Sequence, residues 1–134
     1  MISLRQAERF HGHLGPWLVL GLIAGEYGLK KIKAKKYFGL KVTVSGLNIK
    51  PRSCLIDGLQ LSTGCTLGKG NISVKGIRKI KIEFKNRENK RKITFGLENN
   101  LLSKLSKKMS HGEAQLIARS LYKTNPLEIF QILK

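Results

Sequence analysis

Residues 39–47, GLKVTVSGL, alternate apolar and polar side chains and place Leu40, Val42 and Val44 on one face, the period of a half-buried strand. In KIKIEF the same rhythm sets Ile80, Ile82 and Phe84 against Lys81, Glu83 and the following Lys85, so one face of that strand is wet. NISVKGI (71–77) and RKITFGL (91–97) read as further strands, and NRENK (86–90) as a polar turn leading to the last of them. Helical spacing appears elsewhere. In ISLRQAERF, Ser3 is a candidate cap, and Leu4, Ala7, Glu8 and Phe10 share a stripe. HGHLG breaks that helix, and Pro16 suits the first position of a second, PWLVLGLIAGEYGL (16–29). This second helix is apolar on most faces and belongs in the core, with Gly21 and Gly25 placed to let another backbone approach closely.

A basic stretch, KKIKAKKYF, precedes the first strand. SCLIDGLQLSTG reads as a short helix with Ser53 as N-cap and Gly64 just past its end. The C-terminal third predicts three helices over 98–109, 110–124 and 125–134, with a capping box at Ser110 and Glu113 and an Asn125-Pro126 start. No internal repeat interrupts this order. The fold class expected is α+β, a mostly antiparallel sheet with N-terminal and C-terminal helices packed on it, in one domain over 1–134.

Composition narrows the class. Two cysteines do not make a disulfide framework, and Arg5, Glu8, Arg9 and His11 interrupt any signal-peptide core. The longest apolar run, Trp17 to Ala24, falls well short of the ~20 residues that span a bilayer, so a soluble cytoplasmic protein is expected. The formal charge of +18 predicts salt-sensitive attraction to polyanions. The basic residues are interleaved with apolar ones, and no RNA-recognition signature accompanies them.

Both cysteines and the sole aspartate fall within residues 53–71. On a helix, Cys54 and Asp57 project from nearly one face, and Cys65 follows the Gly64 stop. His11 and His13 point about 200° apart on a regular helix, whereas in an extended break both side chains converge. His111, beside the capping Ser110, reads as a helix-terminus residue. Two imidazoles and two thiols suit zinc, but their spacing is not that of a zinc finger; a site assembled from separate segments, with an open coordination position, fits better. GCTLGKGN is not a phosphate loop: Gly64 and Gly68 enclose three residues instead of four, and Gly70 stands where magnesium needs Ser or Thr. Its Gly68-Lys69-Gly70 backbone remains a candidate anion concavity.

Taken together, FHGHLGPWLVLG and SCLIDGLQLSTGCTLGKGN resemble the FmdE-like family of formylmethanofuran dehydrogenase subunits, closely over His11–Gly21 and Ser53–Asn71 and loosely over the strands and the terminal PLEIF. The resemblance implies an α+β core that commonly forms a homodimer, with a cleft lined by both motifs. It makes His11, His13, Cys54 and Cys65 the metal-ligand candidates and Cys54, Asp57 and Lys69 the catalytic ones, with Gln60 as polar support and Lys69 as an anion contact. The cofactor implied is zinc or another divalent transition metal. Many members read Cys-Pro-Gly after the histidines, where this chain has Gly15, Pro16 and Trp17, and many carry a C-terminal cysteine-rich zinc module that this chain is expected to lack. Two cysteines cannot hold an iron–sulfur cluster, and nothing here accommodates a pterin. The chain is thus expected to be an accessory subunit of a dehydrogenase complex or a stand-alone relative in C1 metabolism, with a small-molecule ligand.

Two alternatives stand beside a metal site. One is metal-free thiol chemistry at Cys54, with a thiolate favoured by the helix N-terminus. The other is a basic module that binds nucleic acid or an acidic partner without catalysis.

Overall fold

Ser3 starts the first helix: its hydroxyl accepts the Gln6 N–H at 3.1 Å, and the Gln6 side-chain carbonyl accepts the Ser3 N–H at 3.0 Å. The computed structural model describes residues 1–76 and 79–133. Ile77 and Lys134, the last residues of the expected strand 71–77 and helix 125–134, lie outside the described residues. Helix α1 (Leu4–His11) ends at Gly12, and α2 (Pro16–Ile32) begins with proline at its first position. Helix α2 runs three residues beyond its expected end because Ile32 is buried while Lys30 and Lys31 stay in water. Strand β1 (Leu40–Ser45), α3 (Cys54–Thr63) and β2 (Ile72–Val74) follow, then β3 (Lys81–Asn86) and β4 (Lys92–Leu97). The chain closes with α4 (Asn99–Leu105), α5 (His111–Tyr122), the single turn α6 (Pro126–Ile129) and β5 (Phe130–Leu133).

The five strands form one sheet in the order β2-β1-β3-β4-β5. Only β1 and β2 are parallel, because α3 lies in the connection between them. The remaining pairs are antiparallel. The architecture is α+β with a mostly antiparallel sheet.

Val42 sits between Ile72 and Phe84 in register, and Val44 opposite Ile82, so the alternation read from sequence becomes one continuous apolar face. Helix α2 lies in the core, with thirteen of its seventeen residues buried. Its Gly21, Gly25 and Gly28 form one stripe. A Cβ on Gly21 would meet the Leu55 carbonyl and come within 2.8 Å of the Gly58 Cα, so α2 and α3 cross glycine to glycine. At Gly28 the same stripe receives the Phe84 ring.

Three local expectations are corrected. Ser53 occupies the position before α3 but has helical angles and makes no side-chain cap; the amides of Cys54 and Leu55 bond instead to the carbonyls of Pro51 and Arg52, both at 3.1 Å. Helix α4 stops at Leu105, leaving 106–110 as an irregular link. The final helix lasts one turn. Phe130 then buries its ring 5.4 Å from Phe95, and β5 pairs with the edge that β4 leaves open. Among the described residues no helix is long and apolar enough to cross a membrane.

Candidate functional site

His11 is the last residue of α1, and Gly12, at φ +104°, takes the left-handed turn that glycine accepts most readily. This turn, rather than an extended break, folds His13 back so that the two imidazole centroids lie 4.7 Å apart. The first turn of α3 supplies Asp57, whose Oδ2 is 2.6 Å from His11 Nδ1. A carboxylate accepting the Nδ1 proton fixes the ring and turns the Nε2 lone pair away from it. That Nε2 is buried and has no hydrogen-bond partner.

His13 reaches the surface. Partial desolvation, then the neighbouring His11 and His111, hold its imidazole below the ordinary value of 6.5, with Glu8 opposing. His13 is therefore predominantly neutral at pH 7, with a lone pair available.

Cys54 begins α3, half-buried and one turn before Asp57. The expectation of an activated thiolate there is corrected: burial and the Asp57 carboxylate push the thiol up, against a smaller opposing effect of Lys50. Cys65 is fully buried, its Sγ facing the carbonyls of Leu40 at 3.6 Å and Tyr37 at 3.9 Å, and burial raises it too. The ten residues of α3 separate the cysteines by about 15 Å of helix. The fold thus brings His11, His13 and Asp57 together at the start of α3 and leaves Cys65 near its other end.

Gln60 and Lys69 also belong to that other end. The Gln60 side-chain carbonyl accepts the Leu67 N–H at 3.2 Å, bracing the loop after α3 rather than the Cys54 thiol. Lys69 extends its ammonium 5.9 Å from the ring centroids of Tyr37 and Phe38. Two amides of the expected anion concavity are engaged within the loop, Lys69 N–H with Thr66 Oγ1 and Gly70 N–H with the Leu67 carbonyl, while Thr66 N–H donates to Asn71 Oδ1.

A cavity of about 570 Å³ adjoins the histidine pair. The link between α1 and α2 contributes His13, the first turn of α2 Trp17, the approach to α3 Arg52, and the 106–110 link Lys107 and Met109, with His111 beyond. The His111 ring lies 6.4 Å from that of His13. Sequence reasoning assigned His111 only a helix-end position and did not single out Arg52, Trp17 or Lys107. No local signal marks them, because the cavity joins segments separated by up to about a hundred residues. Among the described residues, no group of three or more His, Cys, Asp or Glu side chains is arranged to hold a metal ion.

The chain is similar to known proteins in fold and in sequence. A crystal structure of a tungsten formylmethanofuran dehydrogenase FmdE-like protein from Syntrophus aciditrophicus superimposes with a TM-score of 0.63 over 97% of this chain and 68% of that one. At 17% identity, that likeness establishes the fold alone. A probable S-adenosyl-L-methionine-binding protein of Archaeoglobus fulgidus is 34% identical over 70 residues, 52% of this chain, and the match spans about a fifth (19%) of that protein's length. The family described as "FmdE, Molybdenum formylmethanofuran dehydrogenase operon" matches residues 10–131, from the last turn of α1 into β5 and through both motifs that carry the histidines and cysteines, and the chain belongs to that family.

Proposed function

We propose that this chain is a small-molecule-binding FmdE-like protein, accessory to or related to a C1-metabolising dehydrogenase, whose working centre is the His11–Asp57 pair with His13 at the cavity wall. The observation that carries this reading is the buried, unpartnered Nε2 of an imidazole whose Nδ1 is held by a carboxylate at 2.6 Å. A buried polar atom without a partner is uncommon, and in this setting it suits a ligand's donor or a metal ion. The donor types fit a divalent transition metal such as zinc. Two imidazoles are one fewer than the three protein ligands usual in a catalytic site, so the small molecule and water would fill the remaining positions of a four-coordinate ion. Such an ion contributes Lewis acidity toward a carbonyl or a bound water.

The chain's own residues do the rest. Asp57 keeps the proton on His11 Nδ1 and the lone pair on Nε2. His13, held neutral, presents a second lone pair or accepts a proton from a bound ligand. Trp17 and Met109 exclude water from one side of the cavity. The Archaeoglobus relative's description as a probable S-adenosyl-L-methionine-binding protein supports a small molecule rather than a macromolecule as ligand. The raised thiols weigh against metal-free thiolate chemistry.

Chelator-stripped protein titrated with Zn²⁺ and Co²⁺, followed by calorimetry and elemental analysis, tests the proposal. About one equivalent should bind in wild type, fail to bind in His11→Ala, and bind about 10–100-fold more weakly in Asp57→Asn. Cys65→Ser should bind as wild type does, and a sulfur-to-cobalt charge-transfer band would add Cys54 to the ligand set. A wild type that binds no metal, or a His11→Ala variant that binds normally, overturns the metal centre.

A further inference from the structure

The cavity beside His13 has a charge pattern that the histidine pair does not explain. Arg52, Lys107 and Lys108 line it together with His13 and His111, and no acidic side chain does. Among the described residues the carboxylates that meet basic side chains are Asp57 with His11, Glu26 with Lys36 and Glu83 with Lys92, so none of the three cavity cations is neutralised by a carboxylate. Arg52 is half-buried, which shields it from water more than an ordinary surface arginine. The start of α2 also faces this space, and its N-cap, Gly15, has no side chain to satisfy the first turn. The lining also includes the apolar side chains of Trp17, Pro51, Leu105 and Met109. A volume of about 570 Å³ suits a small organic molecule.

We infer that the cavity is an anion subsite for a small organic acid or organophosphate: the carboxylate or phosphate pairs with Arg52 and Lys107, and the apolar body lies against Trp17 and Met109. A planar guanidinium grips either oxyanion through two parallel N–H···O bonds, and Lys107 adds a point charge. The ligand's remaining end then faces His13. This deepens the reading of the site given above by specifying its ligand class, but it requires no metal.

Trp17 is the chain's single tryptophan and lines the cavity, so its fluorescence reports occupancy directly. Metal-free protein at constant, near-physiological ionic strength is titrated with phenyl phosphate, benzoate and benzyl alcohol, which share an aromatic body and differ in head group. Saturable binding of phenyl phosphate or benzoate, with benzyl alcohol at least about tenfold weaker, is the expected result. The preferred anion identifies whether the subsite reads phosphate or carboxylate. Arg52→Gln should weaken the better anion about tenfold or more, and the exposed Lys107→Gln should weaken it in the same direction without disturbing the fold. Lys30→Gln/Lys31→Gln removes two charges from exposed positions that do not line the cavity and should leave binding unchanged.

Equal binding of all three probes overturns the subsite. So does a loss in the Lys30/Lys31 variant as large as in Arg52→Gln, which would reduce the effect to the bulk charge of +18. Failure here leaves metal binding by His11 and His13 standing, and failure of metal binding leaves this result intact, because the protein tested is metal-free.

Discussion

Replacing Gly58 with alanine tests the α2–α3 crossing and the site it positions in one experiment. Gly58 follows Asp57 directly, and a Cβ there would meet the Leu18 carbonyl and stand 2.8 Å from both the Gly21 Cα and the Leu22 nitrogen. These are backbone atoms of a buried helix and have no rotamer to change. To reach 3.4 Å, the lower edge of ordinary contact, the helices must separate by 0.6 Å at the Gly21 Cα and Leu22 nitrogen, and by more at the nearer Leu18 carbonyl. Overpacking of this kind costs about 3 kcal/mol, at the upper end of its usual range because the obstruction is backbone. Alanine's better helix propensity returns about 1 kcal/mol. The net loss is about 2 kcal/mol, visible as a lower midpoint in urea unfolding with an unchanged slope. Gly112→Ala is the control: it lies in the first turn of α5 with open space around its Cβ position, so only the propensity gain remains and stability should rise by up to about 1 kcal/mol. The same displacement of α3 carries Asp57 away from His11, so metal affinity in Gly58→Ala should fall together with stability. A Gly58→Ala protein as stable as Gly112→Ala would refute the close crossing.

Two further predictions concern titration and thiol reactivity. The His13 imidazole should titrate below 6.5 by NMR and move back upward in His111→Gln, since His111 is one of the groups holding it down. Its lowered folded value means that the unfolded chain takes up protons first. The stability it contributes is therefore complete above about pH 6.5, and is lost as pH falls from there through the folded value; His13→Gln should flatten that part of the pH profile, and an unchanged profile would contradict the shift. Toward a thiol reagent at pH 7, Cys54 should react slowly and Cys65 only on unfolding, because burial raises both thiols and Cys65 is in addition fully enclosed. Rapid labelling of Cys65 in the folded protein would show that its site opens.

Features set within a few residues were legible before any fold was known. Ser3 and Ser110 cap their helices because each bonds the amide three residues on, and Pro16 begins α2 because its missing N–H costs nothing there. The Leu40, Val42, Val44 alternation found its sheet face, and Gly64 its left-handed stop at φ +75°. Gly21 and Gly25 announced a close approach, though not to which helix. The C-terminal segment marks the limit of such reasoning. Asn125 caps α6 through the Leu127 N–H at 3.0 Å, as local chemistry requires. One turn later the open edge of β4 and the Phe95 ring outweigh the helical spacing of 130–133.

The site divides along the same line. His-Gly-His and Cys…Asp were visible as chemically capable clusters, because residue type and spacing are properties of the chain. Which of them meet is decided by packing: the left-handed Gly12 and the docking of α3 on α2 bring Asp57 to His11, while the length of α3 carries Cys65 to the far end and under β1. The cavity and its cations depend still more on tertiary structure, since Arg52, Lys107 and His111 become neighbours only when α2, α3 and the α4–α5 link close around one space. Local hydrogen bonds and periodicity act over one or two turns and can be read along the chain, whereas contacts between distant segments are chosen by the burial of the whole core.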